Sequence, residues 1–396
     1  VRLAAALLLA LSATAGAPSA GPHTKVVKQR SVILGEERTV WVELPANYDL
    51  TDRRYQVTYL LDGHVRAFFD MTVAATSYDV AGDQDHPMAP QIVVAIEQKD
   101  RGKELGRESA AFRRYLIQEL LPFIEKTYRT VPFRTLVGHS LGGGFALRTM
   151  CEQPLLFRGI VAVSPSVGDT TSGVALQQCL AASWREDPQS ARFLSYGWGD
   201  RENVGPDGRP RESSVRFDRF VADSAPPWVT VERFAAPGMS HSEAPFAGIP
   251  AGLRLVQSRA VWDLPRPSSD SLLRGLGDPA AVLTPFTTLL ARRVGYDALP
   301  DAKWLRVAAS EYLKRGNGVA AEQWVRRAVQ RYPDDIQSAL MLALVQASNG
   351  DRNSAKRTLS SLRQFLDRAD VHDVIERAQL KATVTARLAA LDATVP

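Results

Sequence analysis

Residues 134–147 read Arg134-Thr135-Leu136-Val137-Gly138-His139-Ser140-Leu141-Gly142-Gly143-Gly144-Phe145-Ala146-Leu147. A short apolar strand signal, Thr135 to Val137, runs into a serine flanked by glycines, and an apolar helical pattern follows. This is the arrangement of a nucleophile elbow. A tight strand-to-helix turn lifts the serine hydroxyl above a sheet edge, and side chains at Gly138 and Gly142 would clash with the neighbouring strand and helix. The helix behind the serine points its N-terminus at the site, where developing negative charge is stabilised. Ser140 is therefore the candidate nucleophile.

The flanking sequence supplies the sheet that such an elbow needs. From about Arg38 to Phe234, β-branched or aromatic runs alternate with amphipathic segments, the pattern of a sheet wrapped by helices. Strands are predicted at Thr39 to Leu44, Val57 to Leu61, Ile92 to Ile96, Thr135 to Val137, Ile160 to Val163, Phe193 to Tyr196 and Val229 to Phe234. Several are apolar at consecutive positions, as expected of central strands in a mostly parallel sheet covered on both faces. A helix is predicted over Ser109 to Tyr128, where Phe112, Tyr115, Leu116, Leu120 and Phe123 form one apolar stripe.

A serine hydroxyl is a weak nucleophile at its free pKa and needs a histidine base, itself oriented by a carboxylate. After an elbow serine the chain order is acid, then histidine. Of the six histidines, His23, His64, His86 and His139 precede Ser140, and His372 belongs to the helical tail. His241, in Ala236-Pro237-Gly238-Met239-Ser240-His241-Ser242-Glu243, follows the last strong strand and is the candidate base. For the acid, the strand Phe193 to Tyr196 ends in Gly197-Trp198-Gly199-Asp200-Arg201-Glu202. Asp200 is the favoured acid, because Gly197 directly ends the strand and fixes the shorter loop, with Glu202 as the alternative. A tetrahedral oxyanion also needs backbone donors. The amide of Leu141 is one expectation. The other is the amide of His64, in Tyr59-Leu60-Leu61-Asp62-Gly63-His64, where Gly63 would let the backbone turn in towards the serine.

Beyond about Val261, a stretch containing Pro and Ser (Asp263 to Asp270) ends the strand signals and the pattern becomes helical. Gly316 and Ala321 recur as Gly350 and Ala355, 34 residues apart. Ala309, Tyr312, Gly316, Ala321, Ala328 and Pro333 fall at the small, aromatic and helix-ending positions of the tetratricopeptide repeat, which this region resembles. At the other end, Arg2 precedes an apolar stretch from Leu3 to Leu11 and then small residues to Ala17, the layout of a secretory signal peptide. The expected organisation is a signal peptide at 1–20, an α/β domain at 21–260, a linker and helical connection at 261–300 and a helical repeat region at 301–396.

The bulk properties remove other classes. Net charge is +5, with 45% hydrophobic and 23% charged residues, and the basic residues are scattered among acidic ones. Nucleic acid is not an expected partner. No segment is apolar for long enough to cross a membrane. Cys151 and Cys179 are the two cysteines; export would favour a disulfide, but their distance cannot be read from the sequence. No ligand cluster surrounds them, and neither a metal nor an organic cofactor is expected.

The stretch from about Val32 to Ala244 resembles the esterase D family of α/β hydrolases, the broad group that includes ferric enterobactin esterases, S-formylglutathione hydrolases and mycolyltransferase antigens. The matching pieces are Tyr59-Leu-Leu-Asp-Gly, the Phe112 to Tyr128 helix with Glu119-Leu-Leu-Pro-Phe-Ile-Glu125, Gly138-His-Ser-Leu-Gly-Gly, Val161-Ala-Val-Ser-Pro-Ser, and His241. The resemblance implies the α/β-hydrolase fold, a triad of Ser140, His241 and Asp200 or Glu202, and oxyanion amides at His64 and Leu141. Together with the signal-peptide layout, the expectation is an exported, cofactor-free ester hydrolase acting on a small-molecule, lipid or siderophore-like ester, without the resemblance fixing which. Two other readings stand beside it: acyl transfer to a sugar or alcohol on the same triad, and a non-catalytic protein that docks a partner through its helical repeats.

Overall fold

The computed structural model describes residues 23–77, 90–205, 208–257, 262, 264–369 and 374–393. The expected signal peptide at 1–20 lies outside them. Eight strands form one sheet: β1 (Thr24–Arg30), β2 (Glu37–Glu43), β3 (Tyr55–Leu60), β4 (Gln91–Ile96), β5 (Thr130–His139), β6 (Gly159–Val163), β7 (Arg192–Gly197) and β8 (Val229–Arg233), in the spatial order β1-β2-β4-β3-β5-β6-β7-β8. β1 pairs antiparallel with β2 and β2 antiparallel with β4; every pairing from β4 to β8 is parallel. All residues of β3, β4, β6 and β7 are buried, which is why their sequences lack an in-out alternation.

Helices cover both faces: α1 (Arg66–Ser77), α2 (Ser109–Tyr115), α3 (Leu121–Thr127), α4 (Leu141–Glu152), α5 (Thr170–Trp184), α6 (Glu212–Ser224) and α7 (Ala244–Val256). The helix predicted over Ser109 to Tyr128 is present, but it widens over Leu116–Leu120 before α3 resumes. Pro122 has no amide to continue the ladder, and its ring crowds the carbonyl one turn back. The stripe is buried as expected at Phe112, Tyr115, Leu116 and Leu120. Cys151 on α4 and Cys179 on α5 form a disulfide, with Cα atoms 5.5 Å apart, so the helix behind Ser140 is covalently tied to its neighbour.

After α7 the described residues are helical: α8 (Arg266–Leu273), α9 (Pro279–Val294), α10 (Ala302–Lys314), α11 (Gly318–Arg331), α12 (Ile336–Ser348), α13 (Arg352–Arg368) and α14 (Val374–Ala393). The segment read as a linker and helical connection thus carries α8 and α9. Asp301, Asn317, Asp335 and Asp351 each cap the helix that follows by accepting from a backbone amide of its first turn, worth about 1 kcal/mol apiece. Gly316 and Gly350 turn the chain between paired helices at φ +72° and +84°, a conformation costly for residues with a Cβ. Ala309, Ala321, Ala328 and Ala355 are fully buried, letting the helices approach closely.

This helical region docks on the sheet at a defined edge. Leu290 and Val294 of α9, with Ala298, share one apolar cluster with Val131, Phe133, Phe193 and Val256. Arg53 makes a two-pronged ion pair with Asp334, and the carbonyl of Arg293 accepts from the amide of Ala191 at 3.0 Å and from Arg158 at 3.2 Å. Arg53, Val131 and Ala191 lie at the amino ends of β3, β5 and β7. Ser140 follows the carboxyl end of β5, roughly 30 Å from Val131 along the strand at the usual rise per residue. The helices therefore sit opposite the candidate nucleophile.

Candidate active site

Ser140 has φ 59° and ψ −115°, a left-handed backbone that costs a non-glycine residue on the order of 1–3 kcal/mol and persists only where its surroundings impose it. Three hydrogen bonds do so. The Ser140 amide donates to the carbonyl of Val163 at 2.9 Å, and its own carbonyl accepts from the amides of Gly144 and Ser166, both at 3.0 Å. A Cβ at Gly138 would collide with the carbonyl of Gly142. Close contact between strand and helix is what makes the turn so sharp.

His241 lies on the loop between β8 and α7, half-exposed. Its Nδ1 is hydrogen-bonded to a carboxylate oxygen of Glu202. Because a carboxylate only accepts, Nδ1 carries the proton and Nε2 keeps a free lone pair. Glu202 is held in turn: its other oxygen accepts from the amide of Gly199 at 2.8 Å and from the hydroxyl of Ser164. Burial alone would raise the Glu202 pKa, but the hydrogen bonds from His241, Ser164 and Gly199 outweigh it and hold the carboxyl below its ordinary value.

The preference for Asp200 over Glu202 is corrected by this geometry. Glu202 contacts His241, whereas Asp200 is exposed. The reason lies in where the strand stops. Parallel pairing persists past Gly197 as a bridge between Gly199 and Ala236, and the Asp200 amide still donates to Ala236. The chain reverses only after that, with the Asn203 amide donating to the Gly199 carbonyl at 3.0 Å. Asp200 stands at the tip of the turn and Glu202 on the returning arm.

The loop Leu61 to His64 packs beside the start of α4: a Cβ on Gly142 would lie 3.3 Å from an Asp62 carboxylate oxygen and 3.6 Å from Leu61. Gly63 serves a different neighbour from the one expected. Its amide donates to Ile96 at 2.8 Å, and a Cβ there would come within 2.7 Å of the Ile96 nitrogen, so a glycine is needed for close approach to β4. Among the described residues the amides on either side, Gly63 and Val65, have backbone acceptors, while those of His64 and Leu141 have none. Leu141 is the first residue of α4 and has no acceptor within the helix. The imidazole of His64 is exposed.

Two site residues escaped the sequence reading. His139, directly before Ser140, has Nε2 2.9 Å from the carbonyl of His241, so it donates there. The two rings lie 4.5 Å apart, and Phe68 meets His139 edge-on at 5.6 Å. Burial, reinforced by the neighbouring His241, lowers the His139 pKa to about 4, leaving it neutral at ordinary pH. The second is Arg101, whose Nε and Nη2 donate to the two oxygens of Asp62 at 2.6 and 3.1 Å; Nη2 also donates to the carbonyl of His139 at 2.8 Å. A signal for Arg101 existed: Gln98-Lys99-Asp100-Arg101 is a polar run just past the carboxyl end of a buried strand, where open α/β sheets place their ligand sites.

A mostly parallel sheet, a strained serine between strand and helix, and a histidine with its carboxylate on two later loops define an α/β hydrolase. The Esterase family model matches residues 31–232, just over half the chain, and this protein belongs to that family. Over 144 residues the chain is 29% identical to the uncharacterized protein YjcH of Bacillus subtilis, a match covering 34% of this chain and 58% of that one. Over 96 residues it is 32% identical to the ferri-bacillibactin esterase BesA of the same organism, covering 24% of this chain and 33% of BesA. The chain thus spans little more than half, and a third, of these two curated relatives. Among solved structures, an IroE-like serine hydrolase from Shewanella oneidensis shares the fold, with a TM-score of 0.60 at 18% identity over 78% of this chain and 99% of that one.

Proposed function

We propose that this protein is a serine carboxylic-ester hydrolase. The observation that carries the reading is the Glu202 carboxylate on Nδ1 of His241, which leaves Nε2 as the basic nitrogen of a ring 4.5 Å from that of His139, the residue before the strained serine. Ser140 Oγ attacks the ester carbonyl as His241 takes its proton, giving a tetrahedral intermediate whose oxyanion meets the amides of Leu141 and His64. Collapse expels the alcohol, which receives the proton from His241, and leaves an acyl-Ser140. Water, deprotonated by His241, then releases the acid and regenerates the serine. Glu202 orients the imidazole and stabilises its charged form without accepting the proton. The experiment is hydrolysis of a short p-nitrophenyl ester by wild type and by Ser140→Ala; equal rates would refute the mechanism.

The proposed substrates are small-molecule esters. Siderophore esters come first in the screen, because BesA is named as a ferri-bacillibactin esterase and shares sequence with this chain. Export is part of the same proposal. It is supported by the signal-peptide layout of the first twenty residues and by the Cys151–Cys179 disulfide, a bond that persists in oxidising compartments.

A further inference from the structure

We propose that Arg101 is a positioning residue that sets the spacing of the oxyanion hole by clamping its two halves together. The inference rests on the hydrolase reading given above and deepens it. The two amides come from parts of the chain far apart in sequence: His64 from the loop after β3, Leu141 from the first turn of α4. Backbone pairing between the two segments ends where the Leu61 amide donates to the Val137 carbonyl at 2.9 Å. Past it the Gly63 amide bonds to β4 at Ile96, so among the described residues the link from the Asp62 to His64 turn across to the elbow is made by side chains.

Arg101 is placed to do this. One guanidinium grips Asp62, two residues before His64, through both carboxylate oxygens, and the carbonyl of His139, two residues before Leu141. The three bonds issue from a rigid planar group, so the distance between the two loops is fixed by the geometry of the fork. Asp62 is almost fully buried and carries a left-handed backbone, φ 59°. Its amide is also satisfied, donating to Gln98 Oε1 at 2.6 Å. Gln98 and Arg101 both follow β4, which makes that loop a bracket around the Asp62 turn.

The arrangement has an electrostatic side. Arg101 offsets the Asp62 carboxylate, which would otherwise stand within a few ångströms of the first turn of α4 and oppose a developing oxyanion. Lysine offers a point charge on a flexible stem and cannot reproduce a planar fork that spans both acceptors.

The test compares Arg101→Ala, Arg101→Lys and Ser140→Ala with wild type on one p-nitrophenyl ester, with thermal unfolding recorded for each. For Arg101→Ala, kcat is expected to fall about 100-fold, the scale of losing one oxyanion donor, with KM within about threefold. Affinity for a trifluoromethyl ketone, which forms an oxyanion in the site, should weaken by the same factor. Added guanidinium should restore at least about tenfold of the rate, and Arg101→Lys should fall between wild type and alanine. A structural role alone would lower the unfolding temperature and the fraction of active sites without rescue or a matching loss of ketone affinity. The clamp is overturned if kcat per active site stays within about twofold of wild type in both Arg101 variants, or if ketone affinity does not follow kcat. If Ser140→Ala keeps its activity, the hydrolase reading itself fails, whatever the Arg101 variants do.

Discussion

The carbonyl of His241 accepts a hydrogen bond from Nε2 of His139, the residue immediately before Ser140. The loop carrying the proposed base is thereby tied to the elbow carrying the proposed nucleophile, and a neutral imidazole makes the tie. His139 has a folded pKa of about 4 against an ordinary value near 6.5. Between these values the unfolded chain binds a proton that the folded chain refuses. Stability from this group is therefore full above about pH 6.5 and is lost as pH falls towards 4. Glu202 acts in the same direction but lower, because its depressed pKa withdraws stability only as pH falls through the carboxylate range. Urea unfolding at pH 6.5 and 5 should show wild type losing stability, and His139→Gln losing less. Equal losses would remove His139 as the cause.

The second prediction concerns the acid. Glu202→Gln keeps the shape of the side chain but no longer holds the proton on Nδ1 of His241, so kcat should fall by at least about 100-fold, approaching the 10⁴-fold seen when a triad carboxylate becomes an amide. Asp200→Asn should leave kcat within about twofold, as expected of an exposed side chain away from the imidazole. Steady-state kinetics on the same ester decide between them. A larger loss in Asp200→Asn would reverse the assignment.

That reversal marks where the sequence was readable and where it was not. Ser140 and His241 stand out as candidates in the sequence because each lies at a topological landmark: a glycine-flanked strand end, and a loop after the last strong strand. Choosing between Asp200 and Glu202 required knowing that pairing with Ala236 continues through Gly199, a long-range hydrogen bond with no local sign. The strands β2 to β8 were predicted because their residues are apolar and β-branched. β1 escaped because Lys25, Lys28 and Arg30 give it the charged pattern of an edge strand. Arg101 acts across 39 residues on Asp62, a contact made only once β3, β4 and β5 lie side by side.

The Cys151–Cys179 bond closes a loop of 28 residues between α4 and α5, for which chain-entropy arguments give about 3.5 kcal/mol of stabilisation. Cys151→Ser combined with Cys179→Ser should therefore lower the unfolding free energy by roughly that amount. Because α4 begins at Leu141, active-site titration with a fluorophosphonate should also show a fraction of serines lost on mild warming before global unfolding. Unfolding of the oxidised and reduced wild type at one temperature gives the same comparison without mutation. No difference between them would mean that packing of α4 on α5 already holds both helices in place.

The last prediction separates stability from catalysis at the two ends of the sheet. Arg53 and Asp334 have side chains only 11% and 21% exposed, and Arg53 also stacks against Tyr55 and Tyr332. Asp334→Asn leaves that guanidinium largely buried without its counter-charge, and breaking such a pair costs up to about 3 kcal/mol when burial is incomplete. The apolar surface of Val131, Phe133, Phe193 and Val256 would remain covered by α9, so the variant should fold and unfold at a lower temperature. Its kcat and KM should be those of wild type at 25 °C, because Arg53 lies at the amino-end edge of the parallel strands, before β3, while Ser140 and Glu202 follow the opposite, carboxyl ends of β5 and β7. Removing everything after residue 263 would uncover that surface as well, and the shortened chain should aggregate. A fall in kcat for Asp334→Asn with no fall in unfolding temperature would mean that the helical region acts on the site through the sheet.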